Sequence, residues 1–254
     1  MPQYESRRLA GKTAVITGAT TGLGFESARR FIAEGARVII TGQNAERLAE
    51  AAESLGPAAI PVRANSTSLA DLDALAESVR ENFGSLDIVF VNAGIGVFAP
   101  LTEVTEEGYD RQFDINVKGA LFTVQKLLPL LKKGSSVILN ASAVNAKGMP
   151  GGSIYFASKA AVRSFARSLA AELGPEGIRV NSLSPGVVRT PFMDKVDLPK
   201  EAMDGFVTTV SAQAPLGRTG LPEEIAQAAV FLGSDDSSYT TGADLTVDGG
   251  WMNV

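Results

Sequence analysis

Short apolar runs alternate with amphipathic segments along nearly the whole chain. Residues 12–17 (KTAVIT), 36–41 (ARVIIT), 58–63, 86–91 (LDIVFV), 135–141 (SSVILNA) and 177–183 (GIRVNSL) are brief and rich in Val and Ile. Strands covered on both faces require such runs, because neither face alternates with polar residues. Residues 243–247 predict a last strand. Between the strands, segments such as 69–83 and 222–232 place apolar residues at helical spacing. This alternation predicts an α/β fold with a parallel sheet, right-handed crossovers and helices on both faces. No linker, repeat or low-complexity stretch divides residues 1–254, so one domain is expected. The alternation fails only over residues 188–217, which hold Phe192, Met193, Phe206 and several prolines. An insertion of that length is expected to be a substrate lid, with a plain surface excursion as the alternative.

Composition narrows the chemistry. The 254 residues are enough for one large core, and the net charge of −5 offers no basic footprint for nucleic acid or anionic membrane. No apolar run approaches the roughly 20 residues that span a bilayer. The opening MPQYESRRLAGK lacks the apolar stretch of a signal peptide, so a cytoplasmic protein is expected. The chain has no Cys and no His. Thiolate nucleophiles, Ser-His-Asp triads and the usual His or Cys metal sites are therefore excluded, and no metal is expected. Proton transfer is left to Asp, Glu, Lys, Tyr or a water chain.

Directly after the first predicted strand comes Thr17-Gly18-Ala19-Thr20-Thr21-Gly22-Leu23-Gly24, opening into an amphipathic helix. A pyrophosphate must approach backbone N–H groups at a helix N-terminus, and glycines let the chain turn tightly enough to allow it. Glycines also punctuate ordinary turns; the strand–helix junction is what favours a dinucleotide site here. Farther on, Tyr155 and Lys159 stand four residues apart in the helical segment SIYFASKAAVRSFARSLAAEL, on one face. A surface Tyr–Lys pair is the bland alternative. The chemical reading is that the ammonium lowers the phenol pKa from its ordinary ~10 by about two to three units, making an acid/base group for neutral pH.

The glycine spacing is T-G-x-x-x-G-x-G, and the motifs that follow it occur in a fixed order. They are Asn92-Ala93-Gly94, Asn116 within DINVKG, Ser142, the Y-x-x-x-K of Tyr155 and Lys159, Pro185-Gly186 with Thr190, and Val247-Asp248-Gly249-Gly250. In this the chain resembles the compact, single-domain branch of the short-chain dehydrogenase/reductase family over almost its full length. The resemblance implies a Rossmann-type sheet of seven strands in the order 3-2-1-4-5-6-7. It also implies hydride transfer between a nicotinamide dinucleotide and a carbonyl or secondary alcohol carbon, with a ketone or keto ester as the expected substrate. Tyr155 would pass the proton, Lys159 would hold the nicotinamide ribose, Ser142 would polarise the substrate oxygen and Asn116 would anchor a proton-relay water. The cofactor would touch Gly18, Thr20, Thr21, Gly22, Leu23 and Gly24, then Asn92, Ala93 and Gly94, with Pro185, Gly186, Val188 and Thr190 at the nicotinamide end. Ile95, Val144, Met149, Phe192, Met193 and Phe206 would line an apolar substrate pocket, although they serve equally as core packing. The helices of residues 116–131 and 153–173 hold more apolar residues than one inward face requires, among them Leu121, Phe122, Leu127, Leu128, Phe165 and Leu169, so they can pair with their copies across a two-fold axis. The resemblance implies a homotetramer, with the C-terminal residues 251–254 at another interface.

Two positions depart from the family. At the end of the second strand, Gly42 replaces the acidic residue that accepts from a ribose 2′-hydroxyl in NAD-specific members, and Gln43 replaces the Arg of many NADP-specific members. Loss of the carboxylate favours NADP(H), with Gln43, Asn44 or Arg47 near the phosphate, while NAD(H) use stays open. Asn65 stands where an Asp usually faces the adenine. Three rival readings remain: a non-catalytic dinucleotide sensor, against which the full set of Asn116, Ser142, Tyr155 and Lys159 speaks; an epimerase or dehydratase, which would need a separate substrate domain; and an enoyl reductase, whose Tyr–Lys spacing is wider.

Overall fold

Among the described residues seven strands form, and both faces of their sheet are covered by helices. The strands are β1 (Thr13–Ile16), β2 (Arg37–Gly42), β3 (Ala59–Arg63), β4 (Leu86–Val91), β5 (Leu131–Asn140), β6 (Arg179–Pro185) and β7 (Asp244–Val247). The computed structural model describes residues 7–193, 196, 200–252 and 254. All six strand pairs are parallel, and the order is β3-β2-β1-β4-β5-β6-β7, as expected. The crossovers carry α1 (Gly22–Ala33), α2 (Ala45–Leu55), α3 (Leu69–Phe83), α4 (Glu106–Phe113), α5 (Gly119–Leu127), α6 (Ser153–Leu173), α7 (Lys200–Gln213) and α8 (Pro222–Gly233).

Side chains of a strand alternate between faces, and that alternation builds two cores. Val15, Val89, Val91 and Val137 face α3, α5 and α6, where Leu75, Val79, Val124 and Ala166 meet them. Ala14, Ile16, Ile88 and Phe90 face the other way, onto Phe31 of α1, Leu48 of α2 and Ile225 of α8. Helix starts are set by local chemistry. Asn44, Ser68 and Thr105 each accept a hydrogen bond from a main-chain N–H three residues on, at the head of α2, α3 and α4.

Two findings depart from the sequence reading. Residues 188–217 are not irregular throughout, because α7 occupies Lys200–Gln213. Val188 also bridges to Gly220 in parallel fashion, which ties the two ends of the span together. Parts of the expected lid, residues 194–195 and 197–199, lie outside the described residues. Between α4 and α5 the helix widens to a π-turn over Asp114–Lys118, the segment that carries Asn116. Among the described residues, no helix is long and apolar enough to cross a membrane.

Candidate active site

The strand order reverses between β1 and β4, and the C-terminal edge at such a point is where open α/β sheets bind ligands. Gly18 (φ +64°) and Gly22 (φ +61°) adopt left-handed backbone that only glycine takes without strain. A Cβ on Gly18 would lie 2.9 Å from Ala93 Cα, and one on Gly24 would lie 2.5 Å from Asn92 Nδ2 and 2.6 Å from the oxygen of Gly18. The turn therefore presses against the residues that follow β4 and cannot carry side chains at Gly18 and Gly24. Thr21 is the N-cap of α1 but its side chain makes no capping bond, and the first turn holds no acid. An anion is the natural partner for those N–H groups and for the positive end of the helix dipole. Asn140 Oδ1, at the end of β5, is buried without a partner. The residues present thus fit a dinucleotide: a glycine cradle, open helix N–H groups and an orphaned acceptor beside them.

The expected cofactor residues converge on this edge. Thr190 packs over Gly22, its Cβ 3.4 Å from where a Cβ on Gly22 would be, although 168 residues separate them in sequence. Gly186 follows β6 and lies against Asp248, 2.7 Å from a Cβ it could not carry. Leu23 packs on the α1-side core, and Val188 is buried in the same core, so its side chain is spent on packing. Asn92 is likewise committed to scaffold: its Nδ2 donates to the oxygens of Thr17 and Gly18, and its Oδ1 accepts from Asn140.

Tyr155, Ser142, Lys159 and Asn116 come together around the ends of β4 and β5. The Ser142 hydroxyl lies close enough to the Tyr155 phenol to favour its ionised form. Lys159 is only 5% exposed, and its Nζ donates to the main-chain oxygen of Asn140 at 2.8 Å. The ammonium stands 5.8 Å from the centre of the Tyr155 ring. The lowered phenol expected from the sequence is not found. Burial pushes Tyr155 up to about 12, with the nearby Ser142 hydroxyl opposing it, and burial pulls Lys159 down to about 8. Helical spacing places the cation nearby, but the same dry surroundings disfavour both charged forms, and Lys159 spends a proton on Asn140. Near neutral pH the phenol keeps its proton.

Asn116 uses its side chain on scaffold. Its Oδ1 accepts from Ile95 N–H at 2.9 Å, and its Nδ2 donates to the oxygen of Ile95 and to Ser158 Oγ. Gly94 leaves room here, since a Cβ would lie 3.2 Å from Asn116 Oδ1 and 3.5 Å from Lys159 Nζ.

At the adenosine end, Gly42 does not have a positive φ, but a Cβ there would lie 2.5 Å from Thr20 Cγ2. Gln43 Nε2 donates to Asn65 Oδ1. Asn65 Oδ1 also accepts from the amide and the hydroxyl of Thr67. The Asn44 Oδ1 caps α2 by accepting from Arg47 N–H.

Val144, Met149 and Phe206 cluster with Tyr155, Phe156, Val187, Val210 and Trp251. The Phe192 ring lies 6.2 Å from that of Tyr155, and Phe98 lies closer, at 5.0 Å. Ile95 contributes its main chain to Asn116, and the Met193 N–H closes a turn onto Thr190. Trp251 is only 5% exposed; its Nε1 donates to Gln213, and Lys147 stands over its face. Its own chain already covers the ring expected at an interface, and Asn253 lies outside the described residues.

Sequence reasoning missed Gln112. It is fully buried; Oε1 accepts from Val97 N–H, and Nε2 donates to the oxygen of Ile95 and to Ser158 Oγ. Ser158 in turn donates to the oxygen of Tyr155. Gln112 and Asn116, one turn apart, thus clamp the Ile95–Val97 backbone to the helix that carries Tyr155. Also missed was the cluster beneath Ser142, where Asn145 Nδ2 donates to the oxygen of Ser142, to Ser184 and to Asp244, and Arg163 donates to Asn145.

Comparison with known proteins agrees with this geometry. A family profile described as Enoyl-(Acyl carrier protein) reductase matches residues 18–252. The chain is 47% identical to Oxidoreductase asL5 of Sarocladium schorii over 98% of both proteins. It is 40% identical to galactitol 2-dehydrogenase of Agrobacterium fabrum over 97% of this chain and 100% of that protein. With 3-oxoacyl-[acyl-carrier-protein] reductase FabG of Thermotoga maritima the identity is 38%, over 96% of this chain and 98% of that protein. Among solved structures, a short-chain dehydrogenase/reductase from Serratia marcescens superposes with TM-score 0.88 at 29% identity, covering 96% of this chain and 99% of the other. With the profile spanning most of its length and close relatives covering nearly all of it, the chain belongs to the short-chain dehydrogenase/reductase family of oxidoreductases.

Proposed function

We propose that this enzyme reduces a ketone or keto ester to a secondary alcohol with NADPH in preference to NADH, with Tyr155 as the proton donor. The observation that carries the reading is the placement of Tyr155, with Lys159 Nζ 5.8 Å from the centre of its ring and apolar side chains packed around it. A nicotinamide dinucleotide, when bound, supplies or accepts the hydride. The chain's own residues do the rest. The Ser142 and Tyr155 hydroxyls share one substrate oxygen, so that negative charge developing on it meets two donors. Tyr155 gives its proton to that oxygen in reduction and recovers it from the alcohol in oxidation. Lys159 holds the nicotinamide ribose hydroxyls. Because the Asn116 side chain is spent on Ile95 and Ser158, any relay water at this residue is held by its main chain in the π-turn, a form of backbone often found at functional sites.

The names of two relatives support C–OH and C=O chemistry, since one is a 2-dehydrogenase and another a 3-oxoacyl reductase. Tyr155 and Lys159 keep the four-residue spacing of that chemistry rather than the wider spacing of the enoyl branch, although the matching profile carries an enoyl reductase description. The pocket of Val144, Met149, Phe192 and Phe206, with α7 as part of a lid, favours an uncharged substrate. Ketones, keto esters and secondary alcohols assayed with NADPH and NADH test this: turnover of at least one class supports it, and coenzyme binding without turnover of any would leave a dinucleotide sensor.

The assembly we propose is a homotetramer. Phe122, Leu128, Phe165 and Leu169 are only partly buried, whereas Leu127 belongs to the core. Such helix faces pair across two-fold axes. Light scattering should return the mass of four chains, and a monomer at micromolar concentration would contradict it.

A further inference from the structure

The β2–α2 turn lacks both an acid and an arginine, yet a cation stands beside it on the neighbouring strand. In the β2–β3 register, Gly42 pairs with Arg63. Arg63 is exposed, and its Nε donates to the main-chain oxygen of Gln43 at 3.0 Å. That bond spends only Nε, and Arg63 lines a cleft of about 340 Å³ together with Gln43, Asn65, Ser68 and Asp71. Among the described residues, Arg63 has no carboxylate at ion-pair distance.

We propose that Arg63, reaching from β3, is the residue that reads the 2′-phosphate of NADP(H), in place of a charged residue in the β2–α2 turn. This rests on the proposed dinucleotide function. A 2′-phosphate carries close to two negative charges, and the planar fork of Arg matches it with two parallel donors. Gln43 cannot do this alone: it is neutral, and its Nε2 already serves Asn65. Its main-chain oxygen instead anchors Arg63 by Nε, which orients the fork and removes part of the ordering cost of binding. Asp71 is the one acid in the cleft. Its oxygens accept from Asn65 N–H and the Ser68 hydroxyl, so they are directed into the scaffold, but its charge opposes the phosphate and keeps the preference moderate. No carboxylate remains at Gly42 to accept from a 2′-hydroxyl, so NADH gains nothing in return.

Calorimetric titration of the full-length protein and of Arg63→Ala with NADP+, NAD+, adenosine 2′,5′-bisphosphate and 5′-AMP tests this. The variant should lose about tenfold in affinity for NADP+ and the bisphosphate, as expected for one charge-assisted contact. Its affinity for NAD+ and 5′-AMP should stay within about twofold, and Gln43→Ala should fall well short of the arginine variant. The gap between NADP+ and NAD+ should also shrink as salt rises, because the contact is exposed. Equal losses for both coenzymes, or a wild-type preference for NAD+, would overturn the assignment while leaving the oxidoreductase reading intact. Failure of the wild-type protein to bind either coenzyme would instead remove the reading on which it rests.

Discussion

Lys159 Nζ donates to the main-chain oxygen of Asn140 at 2.8 Å while standing 5.8 Å from the centre of the Tyr155 ring. The lysine is thus anchored to the end of β5, with the phenol on one side and the cofactor edge on the other. Burial takes its pKa from the ordinary 10.5 to about 8, so the ammonium is present below that pH and lost above it. If the ammonium donates to ribose hydroxyls, coenzyme affinity falls as pH rises through about 8. Lys159→Met should bind more weakly at neutral pH and show no such step. Fluorescence titration of NADPH between pH 6 and 10, roughly two units either side of that midpoint, checks both points. A step that persists unchanged in the variant would assign it to another group.

The close approach of Gly24 to β4 predicts a second outcome. A Cβ at Gly24 meets Asn92 Nδ2 at 2.5 Å and main-chain Gly18 O at 2.6 Å, so the turn itself must move. Gly24→Ala should lower coenzyme affinity at least about tenfold and cost about 1–3 kcal/mol of stability by overpacking. Gly174→Ala is the control, since nothing lies within 4 Å of its Cβ position and its φ is −56°. Urea melts and NADPH titrations on both variants separate a local effect from a general one.

Gln112→Met keeps the side-chain length but removes the acceptor for Val97 N–H and one donor to Ile95. Leaving a buried main-chain N–H unpaired should destabilise the protein by about 1–3 kcal/mol. Asn116 still holds Ile95, so the loop slackens mainly at Val97 and Phe98, whose ring packs 5.0 Å from that of Tyr155. We expect KM for the carbonyl substrate to rise more than kcat falls, and coenzyme affinity to stay near wild type. A proportional loss in every parameter would mean that Gln112 acts on the whole fold rather than on this loop.

The parallel sheet was legible in the sequence because short β-branched runs leave a buried parallel strand as the consistent reading, while the strand order came from the family resemblance. The bounds of β4, α3 and α6 coincide with their sequence patterns. β5 begins four residues earlier than its apolar run, at Leu131, where its pairing with β4 shifts register between Leu86 and Ile88. α7 was missed, since Gly205 and the adjacent Thr208 and Thr209 blur its period. The expected catalytic residues were recognised by order and spacing, and they do converge. Spacing carries no information about burial, however, and that is why the phenol shift had the wrong sign. Arg63 and Gln112 were invisible for a different reason: their partners, Gln43 and the Ile95–Val97 backbone, lie on neighbouring segments brought close only by the sheet and by the α4–α6 contact.

The central claim is that the Tyr155 phenol delivers the proton. Tyr155→Phe removes one oxygen, keeps the ring against Phe98 and Phe192, and leaves the glycine cradle untouched. The decisive measurement is kcat of Tyr155→Phe on the best carbonyl substrate, made beside its NADPH affinity and its melting temperature. A fall of at least about two to three orders of magnitude in kcat, with coenzyme affinity and stability near wild type, is the result this account predicts. Near-normal kcat in the variant would contradict it and move the proton transfer to another group.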